Sequence, residues 1–585
     1  MENQTSRIRR FRLPSKQEIV SAFLSFTKLE WRVFLGLLVV LLVSTLLILQ
    51  SINQSFMVKV PMEGGTLTEG IIGSPRFINP LLATSDADLD MTALVYSGLM
   101  RKGGNGEMIP DLAEKVDISK DGLTYIFTLK NKIYFHDNKP VTADDILFTI
   151  NEIKNPATKS PRKGAWEGVS VQKIDDKTIE FKLKQPFASF LENTTIGILP
   201  IHIWKNSTIE LSDYNINPIG TGPYMVDAVD KKSDGIVNSY DLIAFKKFSL
   251  GKPYIKNLHL YFYKNEEELL VAIKKGEVVQ ASSISPEHTQ ELKDKGYTIT
   301  TSTLPRVFGL FFNQSQNTLF TNKNIVKAID LAIDKERIVQ EILSGYGVPI
   351  DGPIPKNIID YQTLESTENS SREENLKKAA NLLAKDGWKK NEAGFLEKST
   401  TDKKKTTVTP LEFSISTSNA PELSKAANII KENLEAVGIK VEIKTFDVGN
   451  LNQIVIRPRK YDALFFGQII NHESDLFAFW HSTQRKDPGL NVSLYTNAKV
   501  DKILEEAFTT INEQERIRKY AQFENEVKKD MPAVFLYSPN FVYVVSKDTQ
   551  GIKIDHITSP KDRFLNVYVW YTKTDNVWKI FSKQN

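Results

Sequence analysis

The amino-acid sequence predicts an α/β protein of several lobes that follows a single apolar helix near its N-terminus. Three observations lead to this expectation. A chain of 585 residues is too long for one hydrophobic core, so two or three lobes are expected. Residues 411–446 alternate between strand, helix and strand, a unit that builds a parallel sheet. Residues 33–49 are almost wholly apolar.

The apolar run lies behind a polar and basic segment. With Trp31 before it and Ile52 behind it, the run reaches the roughly 20 residues that cross a bilayer. The positive flank keeps the N-terminus in the cytoplasm. A cleaved signal peptide is the alternative, but residues 50–53 offer no small-residue cleavage site. We therefore predict a cytoplasmic tail over 1–32, a transmembrane signal anchor over 33–52 and a tether over 53–63. The protein is then a single-pass protein of the cell membrane, with its large C-terminal region outside the cytoplasm.

The composition excludes several classes of function. The 75 Lys and Arg residues are dispersed among 71 acidic residues, which is not the charge pattern of a nucleic-acid-binding protein. The chain has no Cys, so disulfides, Cys metal sites and Cys nucleophiles are excluded.

Residues 134–150, YFHDNKPVTADDILFTI, predict a strand, a turn and the start of a helix. Tyr134 and Phe135 suit a half-buried strand, and residues 137–140 are turn formers. Thr142 is a good N-cap, and Asp145 three residues later completes a capping-box pattern.

Residues 218–224, PIGTGPY, predict a tight backbone turn. Gly220 and Gly222 permit a positive φ, and Pro223 fixes its own φ. A phosphate-binding loop is disfavoured, because the run lacks the G-x-x-x-x-G-K-[ST] pattern.

These two runs resemble the family 5 solute-binding proteins, the oligopeptide-, dipeptide- and nickel-binding receptors of ABC importers. The first run is similar to the family pattern F-x-D-G-x-P-V-T-A-D-D-V-x-F-S, with Asn138 in place of Gly, and the second to P-x-G-T-G-P-Y. The resemblance extends from about residue 64 to the C-terminus. It implies a periplasmic-binding-protein type II-like fold, in which a hinge joins two large lobes and a small extra lobe is added. The lipidated Cys that commonly anchors relatives is absent, and the signal anchor would replace it.

The resemblance also implies the order of the lobes. Lobe I is expected from residues 64–115, 186–303 and 540–585, the small lobe II from 116–185, and lobe III from 304–539. A hairpin over 169–183 is expected in lobe II. In lobe III we expect helices over 324–343 and 501–527, and strand structure over 565–580 in lobe I.

The loop over residues 467–475 follows a predicted strand, and in peptide-binding relatives an Asp of this loop holds the ligand's α-ammonium group. The register places His472 at that position. A neutral His accepts one hydrogen bond but supplies no fixed negative charge. Glu473 and Asp475 are the alternative acceptors, and an ordinary surface loop before a capped helix is the alternative without a ligand.

Position within the family gives the candidate ligand-binding residues, which come from the loop over 73–81, the strand over 306–313, the loop over 467–475 and the aromatic-rich segment that follows it. They are Phe77, Asn79, Phe312, Asn313, Gln468, Asn471, His472, Asp475 and Trp480.

The predicted function is that of a membrane-anchored extracytoplasmic receptor. It captures peptides, or a similar small solute, between two closing lobes and delivers them as a monomer to an ABC importer permease. The sequence contains no H-E-x-x-H, G-x-S-x-G or dinucleotide motif, and its seven His residues are scattered, so no enzyme activity, cofactor or metal site is predicted. A ligand sensor or chaperone-like protein without a transport role is the alternative, and an enzyme on the same scaffold is a third.

Overall fold

A computed structural model describes residues 14–104, 106–355, 371–402 and 405–582 of the protein. The chain divides into a small unit, formed by Met1–Met62 with Lys573–Asn585, and a large unit, Glu63–Thr572. Part of the predicted cytoplasmic tail, residues 1–13, lies outside the described residues.

The described residues contain β-strands, α-helices and short 3₁₀ segments. The strands are β1 Met57–Met62, β2 Thr66–Ile72, β3 Met100–Lys102, β4 Met108–Pro110, β5 Ala113–Ile118, β6 Thr124–Leu129, β7 Val169–Asp175, β8 Thr178–Leu183, β9 Tyr224–Lys231, β10 Val237–Ala244, β11 Asn257–Tyr263, β12 Gln280–Ser282, β13 Thr298–Thr303, β14 Arg306–Phe312, β15 Gly347–Pro349, β16 Lys389–Lys390, β17 Leu396–Asp402, β18 Lys405–Pro410, β19 Glu412–Ser418, β20 Lys440–Phe446, β21 Ala463–Ile469, β22 Ala533–Val545 and β23 Lys573–Trp578. The α-helices are α1 Lys16–Leu24, α2 Lys28–Phe56, α3 Asp86–Val95, α4 Ala143–Lys154, α5 Phe190–Asn193, α6 Ile201–Trp204, α7 Glu266–Lys275, α8 Thr289–Asp294, α9 Lys323–Ala332, α10 Lys335–Leu343, α11 Arg372–Lys385, α12 Pro421–Ala436, α13 Val448–Asn450, α14 Asp475–Trp480, α15 Ala498–Thr509 and α16 Glu513–Asp530.

The small unit contains the apolar helix predicted from the sequence. A capping box of Thr27 and Glu30 starts α2, and the helix buries no side chain within the protein. In the described part of the chain it is the one helix that is long and apolar enough to cross a membrane. The structure differs from the predicted tether, because α2 continues to Phe56 and β1 follows at once. β1 pairs antiparallel with β23, so residues 573–582 belong to this unit and not to lobe I.

A mixed sheet organises the large unit. Among the described residues it has twelve strands in the order β20-β19-β21-β14-β22-β12-β2-β11-β10-β9, with β13 and β15 also paired to β22. The sequence predicts β19, α12 and β20 as a β-α-β unit, and the parallel pairing of β19 with β20 confirms this prediction. The long strand β22 is shared by the two halves of the sheet: it pairs with β12 and β13 in the first half, and with β14 and β15 in the second.

The small antiparallel sheet β5-β6-β8-β7 includes the predicted hairpin, β7 and β8. The predicted capping box at the start of α4 is confirmed: the Asp145 carboxylate accepts hydrogen bonds from the backbone N–H (2.8 Å) and the hydroxyl (3.0 Å) of Thr142. The same carboxylate accepts the N–H of Ile201 at 2.9 Å, so the cap also fixes the start of α6.

His136 joins the two runs that carry the family resemblance. Gly220 donates its N–H to Nδ1 of the buried ring (3.3 Å), and Nε2–H donates to the Gly222 carbonyl (3.1 Å). The prediction of positive φ at these two glycines is wrong. They are required for close approach instead, because a Cβ at Gly220 would lie 2.1 Å from the carbonyl oxygen of Val95.

Three predicted elements differ from the structure. The helix predicted over 324–343 is two helices, α9 and α10, because Asp334 caps α10 by accepting the N–H of Arg337. The helix predicted over 501–527 is likewise divided into α15 and α16, with Asn512 as the N-cap of α16. The strand predicted over 565–580 is a 3₁₀-helical segment, Pro560–Val569, followed by β23.

A fully buried ion cluster fastens the C-terminal segment to the sheet. Arg563 donates Nε–H to Glu69 of β2 (2.7 Å) and both terminal nitrogens to Asp90 of α3 (2.8 and 2.6 Å). Tyr543 of β22 donates its hydroxyl to the second oxygen of Glu69 at 2.7 Å. Burial raises the pKa of both carboxyl groups, and the guanidinium charge opposes this rise.

Replacing Arg563 by Met should therefore destabilise the large unit strongly, since it leaves two buried carboxylates without a cation. We expect the free energy of unfolding to fall by about 3–5 kcal/mol. Urea unfolding followed by circular dichroism measures this loss. Arg563→Lys keeps the charge but not the fork of donors, so an intermediate loss is expected. A loss below about 1 kcal/mol for Arg563→Met would show that the cluster is not needed for stability.

His136 should make stability depend on pH. Burial lowers its pKa from 6.5 to about 4, against the opposing charge of Asp137. As the pH falls, the unfolded chain binds the proton first, so the contribution is complete above pH 6.5 and is lost between pH 6.5 and 4. The difference in pKa corresponds to about 3 kcal/mol in the free energy of unfolding. Gln can make both hydrogen bonds without titrating, so His136→Gln should make the urea midpoint less dependent on pH between 6.5 and 4. If the pH dependence is the same in the variant, His136 is not its cause.

Candidate functional site

The site is built around the segment between β21 and α14, residues 470–474, which we call the cleft loop. Asp475 fixes its conformation: one carboxylate oxygen accepts the backbone N–H groups of Asn471 (2.8 Å) and His472 (3.1 Å). Burial raises the pKa of Asp475, and these two hydrogen bonds oppose the rise. Asp475 therefore holds the loop that presents His472, and the carboxylate oxygen that accepts both N–H groups is committed to the loop backbone.

Glu473, the other acidic alternative, is also engaged. Its carboxylate pairs with the Arg516 guanidinium of α16, and both side chains are largely buried. Burial raises the pKa of Glu473 while Arg516 opposes the rise. Glu473 is therefore paired with a guanidinium, whereas Asp475, at the start of α14, has one oxygen engaged by the cleft-loop backbone.

His472 makes a contact that connects distant parts of the chain. Its Nδ1 is hydrogen-bonded to a carboxylate oxygen of Glu192, on α5. Burial and the charges of Lys102 and Lys561 together lower the pKa of His472 to about 4. The ring is accordingly neutral near pH 7. A carboxylate only accepts hydrogen bonds, so Nδ1 carries the proton and Nε2 is the acceptor.

Three cations surround this contact: Lys102, Arg162 and Lys561. Lys102 donates to the Thr558 hydroxyl at 3.2 Å. Burial lowers the pKa of all three. At Lys561 the charge of Asp562 opposes this shift, while the charges of Arg162 and Lys102 add to it. Among the described residues, neither Arg162 nor Lys561 forms an ion pair.

A carboxylate beside these cations is satisfied locally. Asp562 accepts the N–H and the hydroxyl of Thr558 (2.8 and 2.7 Å) and the N–H of Ser559 (3.0 Å). It caps the Pro560–Val569 segment, just as Asp475 holds the cleft loop. The charge of Asp562 nevertheless acts on both Lys102 and Lys561, and Asp475 also acts on Lys102. His472 is therefore a neutral imidazole among side chains of both charges.

Two of the predicted ligand-binding residues are structural. The Asn79 side chain accepts the N–H of Leu81 (2.9 Å) and donates to Asn215 (3.1 Å), so it holds the loop after β2. The Asn313 side chain accepts the N–H of Ser315 (3.1 Å) and of the following residue, and donates to the carbonyl of Arg459 (2.8 Å). The Asn313 side chain thus bonds only backbone groups, and the Asn79 side chain bonds one backbone N–H and the Asn215 side chain.

Two predicted aromatic contacts lie in packed cores. Phe312 stacks on Phe320 with ring centroids 4.4 Å apart, and Trp480 packs against Phe535 at 5.8 Å. Phe312 and Trp480 are 0% exposed, which leaves no face of either ring open to a ligand. Phe77 is half-buried in the loop after β2, and Asn471 is exposed in the cleft loop, so both can still meet a ligand.

Gln468 lies at the end of β21 from which the cleft loop departs. It is buried, and its Oε1 has no hydrogen-bond partner among the described residues. Arg306 begins the neighbouring strand β14, and its Nε likewise has no partner among the described residues. Burial lowers the pKa of Arg306, and the charge of Asp86, at the start of α3, opposes this shift. Buried polar atoms without partners are rare, so this end of the β14–β21 pair is a candidate for binding polar groups.

Sequence reasoning missed Glu192, Lys102, Arg162, Lys561 and Arg306. They come from five separate segments, and none belongs to either family-like run. No local pattern marks them, because their proximity depends on how the segments pack.

The comparisons with known proteins agree with this architecture. Residues 107–489 match the family described as "Bacterial extracellular solute-binding proteins, family 5 Middle". The chain belongs to this family. Family members are substrate-binding receptors of ABC importers and not enzymes, and the predicted type II-like α/β fold is confirmed.

Two relatives show how far the similarity extends. The chain is 28% identical over 522 residues to the oligopeptide-binding protein AppA of Bacillus subtilis, covering 87% of this chain and 92% of that protein. A solved structure of AppA with a nonapeptide has a TM-score of 0.64 and 27% identity, covering 88% of this chain and 99% of AppA. NikZ of Campylobacter jejuni, solved with Ni(L-His), has a TM-score of 0.66 and 28% identity, covering 86% and 99%.

Asp475→Ala should release the cleft loop, since two backbone N–H groups lose an ionised acceptor worth about 1.5–3 kcal/mol per bond. We expect amide hydrogen exchange at Asn471 and His472 to become at least tenfold faster, with little change in melting temperature. The matched control, Asp548→Ala, removes an exposed carboxylate. Equal exchange in both variants would show that Asp475 does not order the loop.

Proposed function

We propose that the protein is a membrane-anchored extracytoplasmic receptor that captures a peptide, or a similar small solute, between two closing lobes and delivers it to an ABC importer permease. The observation that carries the proposal is the contact between His472 and Glu192 within a family 5 fold. These residues lie in the two proposed large lobes, 304–539 and the segments that include 186–303. A ligand held at this contact would touch both lobes at once.

The hinge we propose is the place where the chain passes between these lobes. The chain crosses at residues 303–306 and again within β22 near Pro539. Leu304 donates its N–H to the Pro539 carbonyl at 2.9 Å, and the Ser538 hydroxyl donates to the Arg306 carbonyl at 2.6 Å. A few element-terminal residues can absorb the rotation of domain closure. Rotation here would separate His472 from Glu192 and admit a ligand.

The chemistry at the contact favours a carboxylate on the ligand. Glu192 shows that the position beside His472 accommodates a carboxylate. Lys102, Arg162 and Lys561 supply positive charge nearby, and charge-assisted hydrogen bonds to carboxylates are among the strongest available. We propose that a peptide's C-terminal or side-chain carboxylate, and not its α-ammonium group, is recognised at His472.

The relatives support the ligand class. The AppA structure contains a nonapeptide and NikZ contains a nickel complex of histidine, so this fold accepts both peptides and smaller amino-acid complexes. We propose that α2 remains in the mature protein as its membrane anchor. Its length, its apolar composition and the absence of buried side chains support this role.

Modified peptides test the carboxylate proposal. Native mass spectrometry of the full chain in mild detergent would first identify a co-purifying peptide. Amidating that peptide's C-terminus should weaken binding at least tenfold by calorimetry, because it removes the negative charge, whereas acetylating its N-terminus should change the affinity less than threefold. The opposite order would show that the ammonium group is recognised instead.

Lys561→Gln should weaken binding of the unmodified peptide at least fivefold and reduce the difference between free and amidated peptides. Lys553→Gln is the matched control, since Lys553 is exposed in the same C-terminal segment. Both proteins should keep the parental melting temperature within a few degrees. Equal affinities for the two variants would remove Lys561 from the site.

A further inference from the structure

The small unit contains an arrangement that the receptor function does not use. β1 leaves the end of α2, and β23 runs antiparallel to it, back towards the helix. The register pairs Met62 with Lys573 at the far end and Met57 with Trp578 at the helix end. The residues that follow Trp578 therefore begin next to the C-terminal end of α2.

A side-chain contact fixes this return. The indole Nε1–H of Trp578 donates to Oδ1 of Asn53, in the last turn of α2, at 2.7 Å. Residues Lys579–Phe581 continue as a single 3₁₀ turn beside the helix end. Chain direction, strand register and hydrogen bond thus agree on where the C-terminal residues lie.

Two residues of this turn, Ile580 and Phe581, are apolar and exposed. Ile580 is 77% exposed and Phe581 is 74% exposed, and Trp578 keeps 47% of its surface. Phe56, the last residue of α2, is 61% exposed. A group of exposed aromatic and aliphatic side chains therefore lies at the end of α2.

We propose that residues 578–581 form a second membrane contact, in which Trp578, Ile580 and Phe581 enter the outer interfacial layer of the bilayer that α2 spans. The proposal rests on the proposed retention of α2 as an anchor. Aromatic side chains concentrate at the membrane–water interface, where an apolar ring meets lipid and a polar group stays hydrated. Short apolar segments bind this layer without crossing the bilayer.

The pairing of β1 with β23 gives this contact a mechanical consequence. Six residue pairs join the chain just outside the membrane to the C-terminal strand. The chain is thus held at the membrane surface through both of its terminal segments, which restricts rotation of β1 about the end of α2.

The lack of native Cys makes a direct test possible. Single cysteines replace Phe581, Asp575 and Leu49 in separate full-length proteins, each labelled with the fluorophore NBD and reconstituted into phosphatidylcholine nanodiscs. Asp575 is exposed and paired with Val60, away from the helix end, so it is the aqueous control. Leu49 lies within α2 and is the membrane control. Nitroxide lipids labelled at the headgroup or at the middle of the acyl chain quench the fluorescence by depth.

We expect headgroup nitroxide to quench the Phe581→Cys probe at least twofold more than the Asp575→Cys probe, with the acyl-chain nitroxide less effective at 581. Equal quenching at 581 and 575 would overturn the proposal, as would a 581 probe shielded from aqueous iodide without quenching by lipid, which indicates a protein contact. An unquenched Leu49→Cys probe, or an intact mass lacking α2, would instead show that the anchor itself is not retained.

Discussion

The buried charge of Arg563 is the constraint on which the rest of the large unit depends. The guanidinium of Arg563, which has no contact with solvent, joins β2, α3 and the 3₁₀ segment Pro560–Val569. Tyr543 extends the network to β22. An ion in a protein interior is tolerated only when oppositely charged groups with good geometry surround it. The segments must therefore meet in one arrangement. That arrangement positions Lys561 and Asp562, the neighbours of Arg563, beside the site.

Packing between distant segments also determines which side chains surround His472. Polar side chains that the sequence suggested as ligand contacts, Asn79 and Asn313, hold loop backbones instead, while charged side chains from remote segments surround His472. The imidazole of His472 is neutral and lies among the charges of Lys102, Lys561 and Asp562. The chain shares the α/β architecture of the family, and in the function proposed above the side chains around His472 would set which ligand charge is accepted.

The anchor and the C-terminus show a similar division between local pattern and packing. The apolar character of α2 is visible in the sequence, because a helix with no polar face needs an apolar surrounding. Alternation in the C-terminal residues indicates a strand, but a strand's period of two does not identify its partner. The partner, β1, is more than five hundred residues away, in a stretch whose composition suggested only a tether.

The sequence by itself determined the family, the α/β fold, the β-α-β unit, the capping box at Thr142 and the presence of the apolar helix. Each depends on contacts within a few turns or on motifs read in one run. Only the tertiary structure decided that Gly220 and Gly222 are needed for close approach to Val95. It also decided that Phe312 and Trp480 are core residues and that Glu192 contacts His472. Such facts depend on which distant surfaces pack together. Burial and pairing are properties of the assembled chain, because the cost of an unpaired polar group or a steric overlap exists only once those surfaces meet.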